Sequence, residues 1–132
     1  MPQHPRVFVA VLAAAALAAL LSCGGANNTT GPSGGRLITV GGSGGSVFDP
    51  SLLQVRVGDT VTWTAATSGH SVRSCVVVLG DASCTPDGVF DSGPLLARQS
   101  FSITFTQAGT FGYECGTSGH CGNGEHGVID VR

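Results

Sequence analysis

Residues 113–127 read Tyr-Glu-Cys-Gly-Thr-Ser-Gly-His-Cys-Gly-Asn-Gly-Glu-His-Gly, and bring Cys115, His120, Cys121, Glu125 and His126 into one glycine-rich stretch. Thiolate, imidazole and carboxylate at this density are the donors of a transition-metal site. A further imidazole, His70, lies upstream between Val-Thr-Trp-Thr-Ala-Ala-Thr-Ser-Gly and Ser-Val. One thiolate and two imidazoles in a trigonal arrangement, with a distant fourth donor, suit one-electron copper chemistry. Thiolate favours Cu(I), imidazole accepts either oxidation state, and a rigid scaffold leaves little to reorganise when the electron moves. Such ligands belong where strands end. His70 fits an early strand end, Cys115 the end of the penultimate strand, and His120 the loop that follows.

Two other uses of the same residues compete. Cys115, His120, Cys121 and His126 would make a tetrahedral Cys2His2 zinc site, the N/S set zinc prefers, and the domain would then be a surface interaction module. That arrangement folds four ligands from one short loop onto one ion and leaves His70 without a role. A fold of the same kind holding no metal is the third reading. Taken singly, His70 is an ordinary hydrogen-bonded histidine and Cys115 half of a disulfide, the default in an exported chain. Multicopper oxidase and nitrite reductase chemistry needs additional copper centres with further histidines. Beyond His4, the chain has only His70, His120 and His126.

The elements that must position these residues read as strands. Arg36–Val40 is a short β run, and 41–46 a glycine-serine turn. Residues 51–65 alternate apolar and polar side chains, broken by Gly58-Asp59 into two strands. His70–Leu79 continues as a strand, and the polar 80–88 as a loop. Gln99–Thr106 alternates through Phe101, Ile103 and Phe105, and 109–115 and 127–132 complete the set. Turn signals recur and no helical period emerges, so the expected fold is all-β, a Greek-key β-sandwich. Trp63, Phe101, Phe105, Phe111 and Tyr113 are its candidate core aromatics.

The chain of 132 residues allows one such domain, 36–132. Ahead of it, Arg6 and the apolar run Val7–Leu21 form a signal peptide over 1–22, because the run falls short of the roughly 20 residues that span a bilayer. Leu20-Leu21-Ser22-Cys23 resembles a bacterial lipobox, which implies lipidation of Cys23. Gly24 rather than Asp directly follows Cys23, and in such lipoproteins that implies sorting to the outer membrane. Residues 23–35, Gly/Ser/Asn-rich and uncharged, are a flexible tether reaching about 20 Å. Beyond Cys23, five arginines face eight acidic residues and lysine is absent, so no basic patch argues for nucleic acid. Setting Cys23 aside leaves Cys75, Cys84, Cys115 and Cys121, with three possible connectivities. Cys75 and Cys84 flank a turn-rich step and pair best; Cys84–Cys121 and Cys75–Cys121 stay open.

The order of these segments resembles the cupredoxins, the plastocyanin/azurin family of blue copper proteins. Residues 48–64 are similar to the family's F-x-P-x-x-L-x-V-x-x-G-D-T-V-x-W opening, and Gly69-His70-Ser71-Val72 to its first histidine segment. Residues 90–95, 101–115 and 127–131 match its later strands in order. The resemblance implies one type 1 copper held by His70, Cys115 and His120, electron transfer without an organic substrate or catalysis, and transient redox partner proteins. It implies docking beside His120, where Gly119, Gly122 and Gly124 keep the surface flat. The Cys115-x4-His120 spacing and Gly69-His70 pair are azurin-like, and imply a weak contact from the Gly69 carbonyl. The chain departs from the family in three places. Its only methionine is Met1, so the axial position falls to Glu125 when 127–131 are aligned, either bound through oxygen or turned to solvent over a three-coordinate site. Ser71 replaces the usual asparagine, with a hydroxyl able to reach the Cys115 loop. Cys121 directly follows the ligand histidine.

Overall fold

A computed structural model describes residues 36–42, 45–76 and 85–132. The signal, the tether with Cys23, and Cys84 with its expected Cys75 pairing therefore lie outside the described residues, wholly or in one partner. Among the described residues nine strands follow one another: β1 (Arg36–Val40), β2 (Phe48–Asp49), β3 (Leu52–Val55), β4 (Thr60–Ala65), β5 (Arg73–Val76), β6 (Thr85–Asp91), β7 (Ser100–Thr104), β8 (Gly109–Glu114) and β9 (His126–Val131). They form two sheets, ordered β2-β1-β4-β7 and β3-β9-β8-β5-β6. The β1–β4 and β3–β9 pairs are parallel and the rest antiparallel. This is the expected all-β sandwich.

Period-two patterning sorts the faces, because successive strand side chains point to opposite sides of a sheet. In β4, Val61, Trp63 and Ala65 are buried while Thr60, Thr62 and Thr64 turn outward. The outward hydroxyls pair across to β7: Thr60 with Thr104, Thr62 with Ser102 and Thr64 with Ser100, at 2.7–2.8 Å. Inside, Trp63 and Tyr113 are fully buried and meet edge to face at 5.3 Å. Phe48 adds a second edge contact to Tyr113 at 4.8 Å, and Phe90 and Phe105 extend the cluster. Phe101 and Phe111 are only partly buried and flank this core. Burial pushes the Tyr113 phenol well above its ordinary pKa, so it stays neutral and packs as a hydrophobe.

One element departs from the sequence expectation. Thr85–Gly88, expected within a polar loop, belongs to β6, which pairs at the sheet edge through Cys75↔Pro86 and Val76↔Thr85. An edge strand needs no buried face and tolerates proline, so its polar residues carry no alternation signal. The two-residue β2 likewise has too short a pattern to read. In the segment expected to run on from His70, the regular strand starts only at Arg73, and its register shifts between Arg73 and Cys75. His70 itself sits on an isolated bridge to Leu95.

Gly127 opens β9 where the core is tightest. A Cβ there would lie under 3.0 Å from the Tyr113 ring and phenol oxygen and from the Ser51 carbonyl. The backbone oxygen cannot rotate away. Gly127→Ala should cost about 2–3 kcal/mol in denaturant unfolding. Gly122→Ala, with open space around it, should change stability by under about 0.5 kcal/mol.

Candidate metal centre

The site forms at one end of the sandwich, where two loops converge. The first carries His70: Gly69 adopts φ 92°, a left-handed conformation natural to glycine, and turns the chain so that the His70 carbonyl accepts the Leu95 N–H at 2.8 Å. The second runs from the end of β8 to the start of β9. Its neck closes when the Cys115 N–H donates to the Glu125 carbonyl at 3.0 Å, prolonging the β8–β9 ladder. The Glu125 N–H then donates to the His120 carbonyl at 3.0 Å. A single 3₁₀ turn, Cys121–Asn123, starts at His120 and is ended by Gly124 at φ 99°. The backbone thus satisfies itself while aiming Cys115, His120 and Glu125 inward.

Ligand-type atoms of His70, Cys115, His120 and Glu125 all lie within 4.8 Å of one another. Glu125 places Oε1 2.6 Å from His70 Nδ1 and Oε2 2.7 Å from His120 Nδ1. His120 Nδ1 is also 3.6 Å from Cys115 Sγ. Glu125 is 0 % exposed, whereas the His120 side chain is 25 % exposed and forms the outer wall. His70 Nδ1 and Glu125 Oε1 are close, yet neither has a hydrogen-bond partner of acceptable geometry. Distance is met and direction is not. Two buried acceptor-type atoms facing one point, beside a thiol and a second imidazole, fit a cation between them, and the mixed S/N/O set fits a borderline transition metal.

The loops are stitched together by Ser71 and Thr117. The Gly116 N–H donates to Ser71 Oγ at 2.8 Å, the hydroxyl link expected from sequence. The Ser71 N–H donates to Cys115 Sγ at 3.4 Å, which stabilises the sulfur as an anion. The Thr117 hydroxyl donates to the Gly69 carbonyl at 2.9 Å, so that carbonyl is already engaged on the loop side. Behind them Arg73 and the buried Glu114 pair across β5 and β8, with Nη2 to Oε1 at 2.6 Å. The hydrogen bond to Glu114 raises the Arg73 pKa. Sequence reading missed Thr67, Thr117 and this ion pair, because partners far apart in the chain leave no spacing signal.

Cys121 and His126 do not join the cluster. The His126 ring lies 3.4 Å from the Cys121 carbonyl, at the foot of β9. Among the described residues the convergent donors are those of the His70 set, and the Cys2His2 alternative has no matching geometry. No disulfide joins any two of Cys75, Cys115 and Cys121, which removes the Cys75–Cys121 option. Cys75 lies mid-strand in β5, while Cys121 is in the site loop.

Residues 36–132 match the family described as copper binding proteins, plastocyanin/azurin family. Amicyanin of Paracoccus denitrificans is 39% identical over 70 residues, covering 52% of this chain and 48% of amicyanin, so the chain spans about half of that relative's length. Plastocyanin of Scenedesmus fuscus is 32% identical over 99 residues, 68% of this chain and 91% of the plastocyanin. The solved structure titled a novel purple cupredoxin from Nitrosopumilus maritimus superposes with a TM-score of 0.56 at 24% identity. It covers 74% of this chain and 99% of that one, a likeness of fold.

Ser71→Ala would keep the packing and leave the Gly116 N–H without its protein acceptor at a part-buried position. The expected cost is about 0.5–1.5 kcal/mol, read as a lower denaturant midpoint at unchanged slope.

Proposed function

The chain belongs to the plastocyanin/azurin family of copper-binding proteins, and on that premise we propose that it is a single-copper electron carrier. The observation that carries this reading is the convergence of His70 Nδ1, Cys115 Sγ, His120 Nδ1 and the Glu125 carboxylate within 4.8 Å, two of these atoms otherwise unpartnered. A bound copper would supply the one-electron Cu(I)/Cu(II) couple. His70, Cys115 and His120 would hold it, with Glu125 as an oxygen donor where relatives of this family carry a methionine. The carbonyl of Gly69 remains a candidate for a weaker contact. The domain, 36–132, acts as an exchanger of electrons with protein partners rather than as an enzyme on an organic substrate.

The residues divide the work. The Ser71 N–H stabilises the thiolate, and the Cys115–Glu125 neck fixes where sulfur and carboxylate sit. Depth excludes water from Glu125 and nearly so from His70, so the donors need not shed a hydration shell when charge changes. His120 alone reaches the surface to a useful degree, and gives partners a short route to the site. A transient redox complex would cover a small area around it.

The copper-loaded, oxidised protein should show an intense thiolate charge-transfer band in the visible, absent in Cys115→Ser. His70→Ala should weaken copper binding. A colourless protein that binds zinc equally well with or without His70 would overturn the assignment. Glu125→Met replaces a hard anion by a soft neutral donor, and should raise the reduction potential by on the order of tens of millivolts, where ~59 mV is a tenfold shift for one electron.

The same proposal places the domain on the outside of a bacterial membrane, the outer membrane by preference, tethered through a lipid on Cys23. It is supported by the lipobox-like Leu20-Leu21-Ser22-Cys23 and the uncharged stretch behind it. Cys23→Ser should move the protein from the membrane fraction to the soluble exported fraction with its spectrum intact. Retention in the membrane would rule the anchor out.

A further inference from the structure

His70 has two ring nitrogens, and only one faces the cluster. Nδ1 points at Glu125, while Nε2 lies 3.1 Å from the Thr67 hydroxyl. That hydroxyl also donates to the Gly41 carbonyl at 3.2 Å. A threonine hydroxyl has one hydrogen. With it directed to the Gly41 carbonyl, the oxygen is left to accept from His70, which puts the ring proton on Nε2. Neutral imidazole has a single N–H, and Nδ1 is left with its lone pair toward the cluster. The opposite tautomer would put an N–H on Nδ1 2.6 Å from Glu125 Oε1, yet that pair is not in hydrogen-bond geometry. The Thr67 side of the ring is what carries the assignment.

Gly41 completes the arrangement. A Cβ at this position would fall inside the His70 ring, within 3.0 Å of Nε2, Cδ2 and Cε1. Its φ of 66° is also left-handed. The glycine therefore lets the backbone lie against the imidazole while its carbonyl receives the Thr67 hydrogen. The first glycine-serine turn, otherwise a featureless connection, is part of the site.

We propose that Thr67 is a positioning residue that, relaying through its hydroxyl to the Gly41 carbonyl, holds His70 as the Nε2–H tautomer with the Nδ1 lone pair presented to the metal. This rests on the copper reading for its purpose but not for its geometry. Ligand histidines commonly have their outer nitrogen fixed by such a partner, and losing it weakens metal affinity by about 10–100-fold.

The full chain, free of metal and ¹⁵N-labelled at histidine, tests the geometry without copper. His70 should show a pyrrole-type Nε2 and a pyridine-type Nδ1 in the wild type, and a mixture in Thr67→Val. Thr67→Ser keeps the hydroxyl and should restore the wild-type pattern. Copper titration should then show Thr67→Val binding about 10-fold more weakly, with Thr67→Ser near wild type. A wild-type His70 protonated on Nδ1 overturns the proposal directly, even if the valine variant does not fold. So does a valine variant with unchanged tautomer and affinity, or a serine variant as impaired as valine, since the methyl would then be what matters. If the tautomer follows Thr67 but no variant binds copper, the electron-carrier reading fails and this inference stands.

Discussion

The structure depends on one costly placement: a carboxylate, Glu125, with no exposure to solvent. An ionised carboxylate out of water is stable only with positive charge or good donors around it. The described residues answer with His120 Nδ1 on one oxygen and set His70 Nδ1 2.6 Å from the other, outside hydrogen-bond geometry. Much of the surrounding architecture follows from holding that arrangement still. The β8–β9 ladder is prolonged by the Cys115–Glu125 backbone bond, so sulfur and carboxylate are set by strand register rather than by a flexible loop.

Rigidity comes from the sheets and reaches the site through few contacts. Trp63 and Tyr113 lock the two sheets face to face, and Tyr113, near the end of β8, stands two residues before Cys115. Ser71 and Thr117 then bind the second loop to the first with three hydrogen bonds, to Cys115, Gly116 and Gly69. Loops normally move more than the strands that carry them. Here each loop satisfies its own backbone and borrows donors from the other, so the four candidate ligands are held from both sides.

The sandwich was legible because its strands alternate: Val61, Trp63 and Ala65 inward, three threonines outward. His70, Cys115 and His120 were legible because their residue types are unusual and fall at strand ends. Glu125 emerged from the absence of any methionine but Met1, which left the aligned position to a carboxylate. The edge strand Thr85–Asp91 was not legible, since an edge imposes no pattern on its side chains. Nor were Thr67 and Gly41 as parts of the site. Threonine and glycine are common in turns for local reasons, and only the fold brings residues 26 apart onto one imidazole.

Charge accounting gives the site its direction. With Cys115 as thiolate and Glu125 ionised, the donor set carries two negative charges. A divalent ion makes the cluster neutral, whereas a monovalent one leaves it with a net negative charge in a buried place. Buried net charge is expensive, so the carboxylate favours the oxidised form more than a neutral thioether would. Arg73 interacts electrostatically with Cys115, but its guanidinium is bound by Glu114, the residue immediately before that cysteine. The pair contributes almost no net charge at the sulfur. Nothing else among the described residues offers an unpaired cation within the cluster, so the balance is left to Glu125 and to the imidazoles. With Glu125 as the proposed oxygen donor, this carboxylate would bias which oxidation state the site prefers to hold.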